Sequence, residues 1–210
     1  MGPTATLALL AVLAASRAHA EDPPPEARPR PSWSFEASAA AYFLPDDHNY
    51  VQPTLSADHG SLHLEARHNY EDKASTSFFA GWNLAVGDKV KLELTPMLGG
   101  VVGRTHGIIP ALKLDLAWRR LELYSEGEYV FDLGDSDNSF LYNWSELSVW
   151  PTGWLRAGMV TQRTRVYQTA RNLQRGVLAG LSSERIDGTV YLFNPGADDQ
   201  FWVASVAVRF

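Results

Sequence analysis

The stretch Trp202-Val203-Ala204-Ser205-Val206-Ala207-Val208-Arg209-Phe210 decides the fold class. Its alternate residues, Trp202, Ala204, Val206, Val208 and Phe210, form a strongly apolar face, and the residues between them form a mixed face. A period of two is typical of a β-strand, because successive side chains point to opposite sides of the sheet. The stretch therefore predicts a strand with one face against an apolar environment.

The same period recurs along the chain from Ser32 onwards, and clusters of Gly, Asp, Asn or Pro interrupt it at intervals. No apolar pattern of helical period extends beyond a turn or two. These features predict an all-β fold, a single antiparallel up-and-down barrel of about twelve strands, with ten as the alternative. The candidate strands span 32–44, 49–58, 61–70, 75–86, 90–101, 107–118, 121–132, 139–149, 154–165, 172–182, 186–194 and 200–210.

The connections between these strands alternate between two kinds, as expected for a barrel with short turns at one end and longer loops at the other. A turn at Arg119-Arg120 would pair Trp118 with Leu121 and Lys113 with Glu126. A turn at His59-Gly60 would pair Ala57 with Leu62. The tight connections lie at His59-Gly60, 87–89, Arg119-Arg120, 151–153 and 183–185, and the longer, more polar ones at 45–48, 71–73, 103–106, 134–137, 168–171 and 195–199.

The first residues predict secretion. An apolar run over 7–15 is followed by Ala18-His19-Ala20, which supplies the small residues that a signal peptidase requires. We therefore predict a signal peptide over 1–20 with cleavage near Ala20, although Arg17 follows the apolar run and no basic residue precedes it. The Pro-rich segment 21–31 is expected to be an extended periplasmic linker, and 32–210 the barrel.

Composition excludes several classes of function. The chain has no Cys, which excludes disulfides and thiolate metal sites. Without Arg17, 17 Lys and Arg face 24 Asp and Glu, a net charge of −7 for the mature chain. A nucleic-acid partner requires a basic face, so none is expected.

The terminal stretch resembles the terminal signature of bacterial outer-membrane β-barrels, in which an aromatic residue follows alternating apolar ones. The resemblance implies that Trp202, Val206, Val208 and Phe210 form a signal read by the barrel-assembly machinery. It also implies an outer-membrane location, with membrane lipid and lipopolysaccharide as partners, and leaves the oligomeric state open. Aromatic residues near the strand ends fit the girdles of such barrels: Trp33, Phe43, Trp82, Trp118, Phe131 and Trp202.

If the apolar face meets lipid, the polar face lines a lumen in which acidic residues outnumber basic ones. We predict a narrow, porin-like channel for small solutes that prefers cations weakly, because an acidic lining attracts them. The predicted lumen residues are Glu36, Asp58, His63, Glu65, Arg67, Lys91, Glu93, Lys113, Asp115, Glu122, Glu126, Glu128, Glu146 and Arg156.

Two other functions stay open. Charge pairs such as Lys113 with Glu126 could plug the lumen of a purely structural barrel. A lipid-modifying enzyme is also conceivable, since His63 shares a face with Glu65 and lies opposite Ser56 in the predicted register, but we assign no catalytic residue. No cofactor is expected, and the acidic segments Asp46-Asp47 and 135–137 are interpreted as solvated turns, not as metal sites.

Overall fold

The computed structural model describes residues 32–45, 48–166 and 172–210, with the side chains of 164–166 and 172 excepted. The predicted signal peptide and linker, the acidic pair Asp46-Asp47 and the loop 168–171 lie outside the described residues. Among those described, no helix is long and apolar enough to cross a membrane.

Thirteen strand segments are described, and they follow the candidate strands closely. They are β1 (Trp33–Phe43), β2 (Tyr50–His59), β3 (Leu62–His68), β4 (Ser75–Trp82), β5 (Leu84–Val86), β6 (Val90–Gly103), β7 (Gly107–Trp118), β8 (Leu121–Asp132), β9 (Phe140–Val149), β10 (Leu155–Val166), β11 (Asn172–Ser182), β12 (Ile186–Phe193) and β13 (Phe201–Arg209).

These segments form one closed antiparallel barrel. Strands that follow one another in sequence pair with each other, except β4 and β5, and β1 pairs with β13 to close the wall. The segments β4 and β5 both pair with β6 and are one strand interrupted at Asn83. The wall therefore has twelve strands, which confirms the predicted fold class.

The register of one predicted hairpin is confirmed and that of another is wrong. Trp118 pairs with Leu121 across the Arg119-Arg120 turn, as predicted. The turn after β2 consists of residues 60–61, so Ala57 pairs with Leu64 and not with Leu62. Gly60 has a φ of 60° at the first turn position, where a two-residue turn of this kind favours glycine.

The outer face of the wall is apolar. The six predicted girdle aromatics all point outward and are between 46 and 55% exposed. Trp202, Val206 and Phe210 of the terminal row are exposed on the same face. Exposed apolar surface of this extent is costly in water, and a lipid environment removes that cost.

Two apolar clusters fill part of the interior near the loop end. The larger joins β1, β9, β12 and β13 through Tyr42, Trp144, Phe193, Phe201 and Val203. The smaller joins β4, β6, β7 and β8 and includes Phe79, Met97, Val101, Ile109 and Val130. The lumen is therefore narrower than an empty twelve-strand barrel would allow.

Gly99 on β6 is required for close packing beneath the Phe79 ring. A Cβ atom at residue 99 would lie 2.8 Å from the carbonyl oxygen of Phe78 and would also collide with that ring. We expect Gly99→Ala to lower the free energy of unfolding by about 1–3 kcal/mol, as overpacking does. Urea unfolding of the refolded barrel would measure this.

The matched control is Gly100→Ala on the outer face. A Cβ atom there comes no closer than 3.6 Å to its nearest neighbour, the Gly107 oxygen, so little change is expected. Equal unfolding midpoints for the two variants would contradict the proposed packing.

Candidate functional site: a charged lumen with an inserted loop

Arg67 on β3 is buried inside the barrel and is 2% exposed. Its guanidinium hydrogen-bonds Glu65 on the same strand, donates from Nη1 to Glu128 at 2.9 Å, and forms an ion pair through Nη2 with Glu126 at 2.5 Å. Glu126 and Glu128 are on β8, whereas Arg67 is on β3, so the contacts cross the lumen. Three buried carboxylates thus contact one buried cation.

Lys113 joins the same network in an unpredicted way. Its ammonium contacts Glu65 on β3 and not Glu126, although Glu126 is its register partner. The carboxylate of Glu126 is already engaged by Arg67 and by the Tyr124 hydroxyl, which donates at 2.8 Å. The predicted register pairing of Lys113 with Glu126 is confirmed, but the ion pair expected between them does not form, because the long lysine side chain reaches Glu65 instead.

A second network surrounds Glu146. Arg156 donates from Nη1 to Glu146 at 2.9 Å and from Nη2 to the Thr189 hydroxyl at 2.8 Å. The other Glu146 oxygen accepts hydrogen bonds from the Trp144 indole and the Tyr191 hydroxyl, each at 2.8 Å. These bonds connect β9, β10 and β12 and satisfy both oxygens of the buried carboxylate.

His63 bonds a carboxylate and not a hydroxyl. Its Nδ1 lies 2.8 Å from Asp58, which also accepts a hydrogen bond from the Asn83 amide at 2.6 Å. Its Nε2 lies 3.6 Å from Glu65. The expected opposition of His63 and Ser56 is wrong, because the shifted register places Asp58 opposite His63 and Ser56 opposite Glu65.

The other predicted lumen charges lie towards the turn end. Glu36 is ion-paired with Arg209 at 3.1 Å. Glu93 and Asp115 are register partners on the same face as Lys113, and Glu122 accepts a hydrogen bond from the Trp150 indole at 3.0 Å. Lys91 and Glu93 are exposed to solvent.

Residues 69–74, here called the plug loop, fold into the lumen. The Tyr70 ring packs edge-on against Tyr142 with centroids 5.5 Å apart, and the Arg67 guanidinium lies 4.4 Å from its centre. The backbone oxygen of Asn69 accepts a hydrogen bond from Gln52 at 3.0 Å. Asn69 itself has a φ of 58°, a left-handed conformation that turns the chain inward.

Glu71 is buried in the plug loop beside the central network. Its carboxylate accepts a hydrogen bond from the Ser77 hydroxyl at 2.6 Å and lies 4.0 Å from Arg67. Burial raises the pKa of Glu71 above its usual value, and the Ser77 bond and the Arg67 charge oppose that rise only in part. The sequence predicts only a polar connection at 71–73 and not a segment inserted into the lumen. The one feature of the sequence that could have indicated the inward turn is Asn69, because asparagine tolerates a left-handed backbone conformation.

The plug loop lies between two cavities. The outer cavity, about 400 Å³, is lined by Glu71, Asp72, Arg104 and Asp132. The inner cavity, about 250 Å³, is lined by Tyr70 and by residues nearer the turn end such as Glu36, Arg156 and Asp187. Two consecutive residues of one loop therefore face different compartments of the lumen.

No family model and no curated protein matches the sequence. Solved structures do match the fold. A "KdgM porin" superposes with a TM-score of 0.61 at 11% identity, covering 83% of this chain and 99% of the porin. The chain therefore shares its barrel fold with this porin.

Two further porin structures superpose on this chain to a similar extent. "KdgM porin in complex with disordered oligogalacturonate" gives a TM-score of 0.62 at 10% identity, with 83% and 99% coverage. "NanC porin structure in rhombohedral crystal form." gives 0.58 at 9% identity, with 83% and 98% coverage. At these identities the similarity establishes the fold alone, a closed antiparallel β-barrel, and the polar lining has to be interpreted from this chain's own residues.

Proposed function

We propose that the protein is a narrow, porin-like outer-membrane channel whose lumen is closed by the plug loop. The observation that carries this proposal is the position of Tyr70 and Glu71 between the two cavities. The loop adds no strand to the wall, so it can leave the lumen without opening the barrel. Loops of this kind are among the elements that move most easily.

The proposed permeant solutes are small cations or small neutral molecules. Predicted acidic lumen residues outnumber the basic ones, and Glu71 adds a further carboxylate at the constriction. An acidic lining repels polycarboxylates, so a solute like the oligogalacturonate named for one structural neighbour is not expected to enter this channel. The negative charge of the lumen lining thus distinguishes the proposed channel from one that transports acidic oligosaccharides.

A permanently sealed structural barrel is the second candidate. The contacts of Arg67 with Glu126 and Glu128 favour it, because they tie β3 to β8 across the lumen. The two functions differ in what removal of the plug loop does. A gated channel then conducts more, whereas a barrel sealed by Arg67 does not.

Conductance of a plug-loop variant tests the proposal. We expect Tyr70→Gly with Glu71→Gly to raise single-channel conductance severalfold in planar bilayers, because both side chains that separate the cavities are removed. Reversal potentials in a KCl gradient should show cation preference. If the conductance of the variant equals that of the wild type, or if the reversal potentials show a clear anion preference, the channel proposal is contradicted.

The matched control changes an exposed loop at the same end of the barrel. Ala197 and Asp198 lie between β12 and β13 and are exposed, so Ala197→Gly with Asp198→Gly adds the same number of glycines away from the lumen. Its conductance should equal that of the wild type.

We also propose the route of the protein to the membrane. Residues 1–20 would be removed near Ala20, 21–31 would remain as a periplasmic linker, and 32–210 would be inserted by the barrel-assembly machinery among outer-membrane lipid and lipopolysaccharide. The mass of the mature chain tests the cleavage position. The expectations of no cofactor and no nucleic-acid partner stay predictions.

A further inference from the structure

The apolar outer face of the barrel is interrupted on neighbouring strands β8 to β11. Ser125 and Ser145 are register partners whose hydroxyl oxygens lie 2.9 Å apart, and the Asn143 amide donates to Ser125 at 3.2 Å. On β8 and β9 these polar residues lie between apolar ones, with Leu147 on one side of them and Leu141 on the other along β9. The polar patch consists of Ser125, Asn143, Ser145, Thr161, Arg163 and Arg175.

Two arginines occupy the end of this patch nearest the loops. Arg163 pairs with Asn143 on β9 and Leu173 on β11, and Arg175 pairs with Thr161 on β10. Arg163 and Arg175 are therefore diagonal neighbours on one face of adjacent strands. Leu173 is 40% exposed on the same side, which establishes that this face points outward.

Neither guanidinium is neutralised within the part of the chain that the structure describes. No ion pair of a described residue involves Arg163 or Arg175, and the Arg163 Nε atom is buried without a hydrogen-bond partner. A cation on the lipid face near the bilayer midplane is destabilising, so two of them need a compensating anion or a position near the headgroups.

The depth of the pair fits a headgroup position. Arg163 is eight residues beyond Leu155, where β10 begins at the turn end. With a rise of about 3.4 Å per residue and a tilt of roughly 40°, this is about 21 Å along the axis of an apolar band about 25 Å tall. The pair therefore lies near the loop-side edge of the band, where lipid phosphates are found.

We propose that Arg163 and Arg175 form an external site for the phosphate of an outer-leaflet glycolipid. The planar arginine fork matches phosphate oxygens, and two guanidiniums on adjacent strands can share one phosphate group. The site rests on the outer-membrane placement proposed above, which puts the loop end in the outer leaflet. It is separate from the lumen, since Trp144 next to Asn143 points inward and is buried.

Lipid binding to the full barrel, refolded in uncharged detergent, tests the site. The probe is diphosphoryl lipid A, with dephosphorylated lipid A and phosphatidylglycerol as the comparison lipids. An arginine held at a lipid surface contributes roughly a fivefold gain in affinity, so Arg163→Gln or Arg175→Gln should each weaken binding about fivefold and the double variant about thirtyfold. Dephosphorylated lipid A should bind the wild type as weakly as diphosphoryl lipid A binds the double variant.

The matched control is Arg185→Gln, which removes an exposed arginine in a turn at the opposite end of the barrel. It should leave lipid A affinity unchanged. Unchanged affinity in the double variant, or an equal loss in the control, would overturn the site. Equal affinity for phosphatidylglycerol would overturn the assignment to a glycolipid.

Light scattering on the same samples tests whether the patch instead binds a second copy of this chain. A wild type that is oligomeric and a double variant that is monomeric would mean that the patch binds a second copy of this chain, and this overturns the lipid site. The conductance of the double variant should equal that of the wild type. Because conductance and lipid binding are measured separately, a result that contradicts the lipid site can be distinguished from one that contradicts the channel proposal.

Discussion

Replacing Arg67 with methionine is expected to lower the free energy of unfolding by about 3–5 kcal/mol, the usual cost of leaving a buried charge without its partner. The guanidinium contacts Glu65, Glu126 and Glu128, and all three carboxylates are buried. Methionine approximates the aliphatic part of the arginine side chain but supplies neither charge nor donors. Urea unfolding in lipid vesicles, followed by fluorescence of the seven Trp residues, measures the change.

Two further variants determine whether charge is the cause. Arg185→Met removes an exposed arginine and should change the free energy of unfolding little. Adding Glu126→Gln and Glu128→Gln to Arg67→Met should restore much of the lost stability, because neutral amides cost less to bury than carboxylates. If the triple variant is no more stable than Arg67→Met alone, the ion-pair account is wrong.

Removing Phe210 is expected to leave most of the protein outside the membrane as a form that does not shift on heating in gel electrophoresis. Phe35 and Phe210 exchange two backbone hydrogen bonds, of 2.9 and 3.0 Å, at the junction of β1 and β13. Each such bond contributes about 0.5–1.5 kcal/mol. The deletion also shortens the outward apolar row that resembles the assembly signature.

The variant Phe210→Ala separates these two causes. It retains the backbone bonds to Phe35 and removes only the aromatic side chain. Assembly as poor as in the deletion would indicate recognition of the aromatic ring, and assembly as in the wild type would indicate the backbone pairing. Normal heat-modifiable barrel in the outer membrane after the deletion would contradict the prediction itself.

Alternation in the sequence was sufficient to predict the strands and the faces of the wall. The alternation of Leu114, Leu116 and Trp118 with charged or small residues established both the strand and its outward side. The same property explains the error after β2. Registers that pair Ala57 with Leu62 or with Leu64 both place apolar residues opposite each other, so alternation cannot distinguish shifts of two residues.

Partners across the lumen could not be predicted in the same way. Alternation predicts that Arg67 and Glu126 share the polar face, but whether they meet depends on how strand stagger aligns β3 with β8 when the barrel closes. Insertion of Tyr70 and Glu71 was missed for a related reason. A short polar loop carries no periodicity, and its inward path depends on the left-handed Asn69 and on hydrogen bonds to other strands.

The junction between β1 and β13 has a kinetic consequence. The other neighbouring strands of the wall follow one another closely in sequence, whereas this junction brings together Glu36 and Arg209, which are 173 positions apart. The entropy of closing so long a loop must be overcome before the new contacts form, so this step is expected to be slow and late in folding. Until then both terminal strands carry an unpaired edge, the part of a nascent sheet most prone to aggregation.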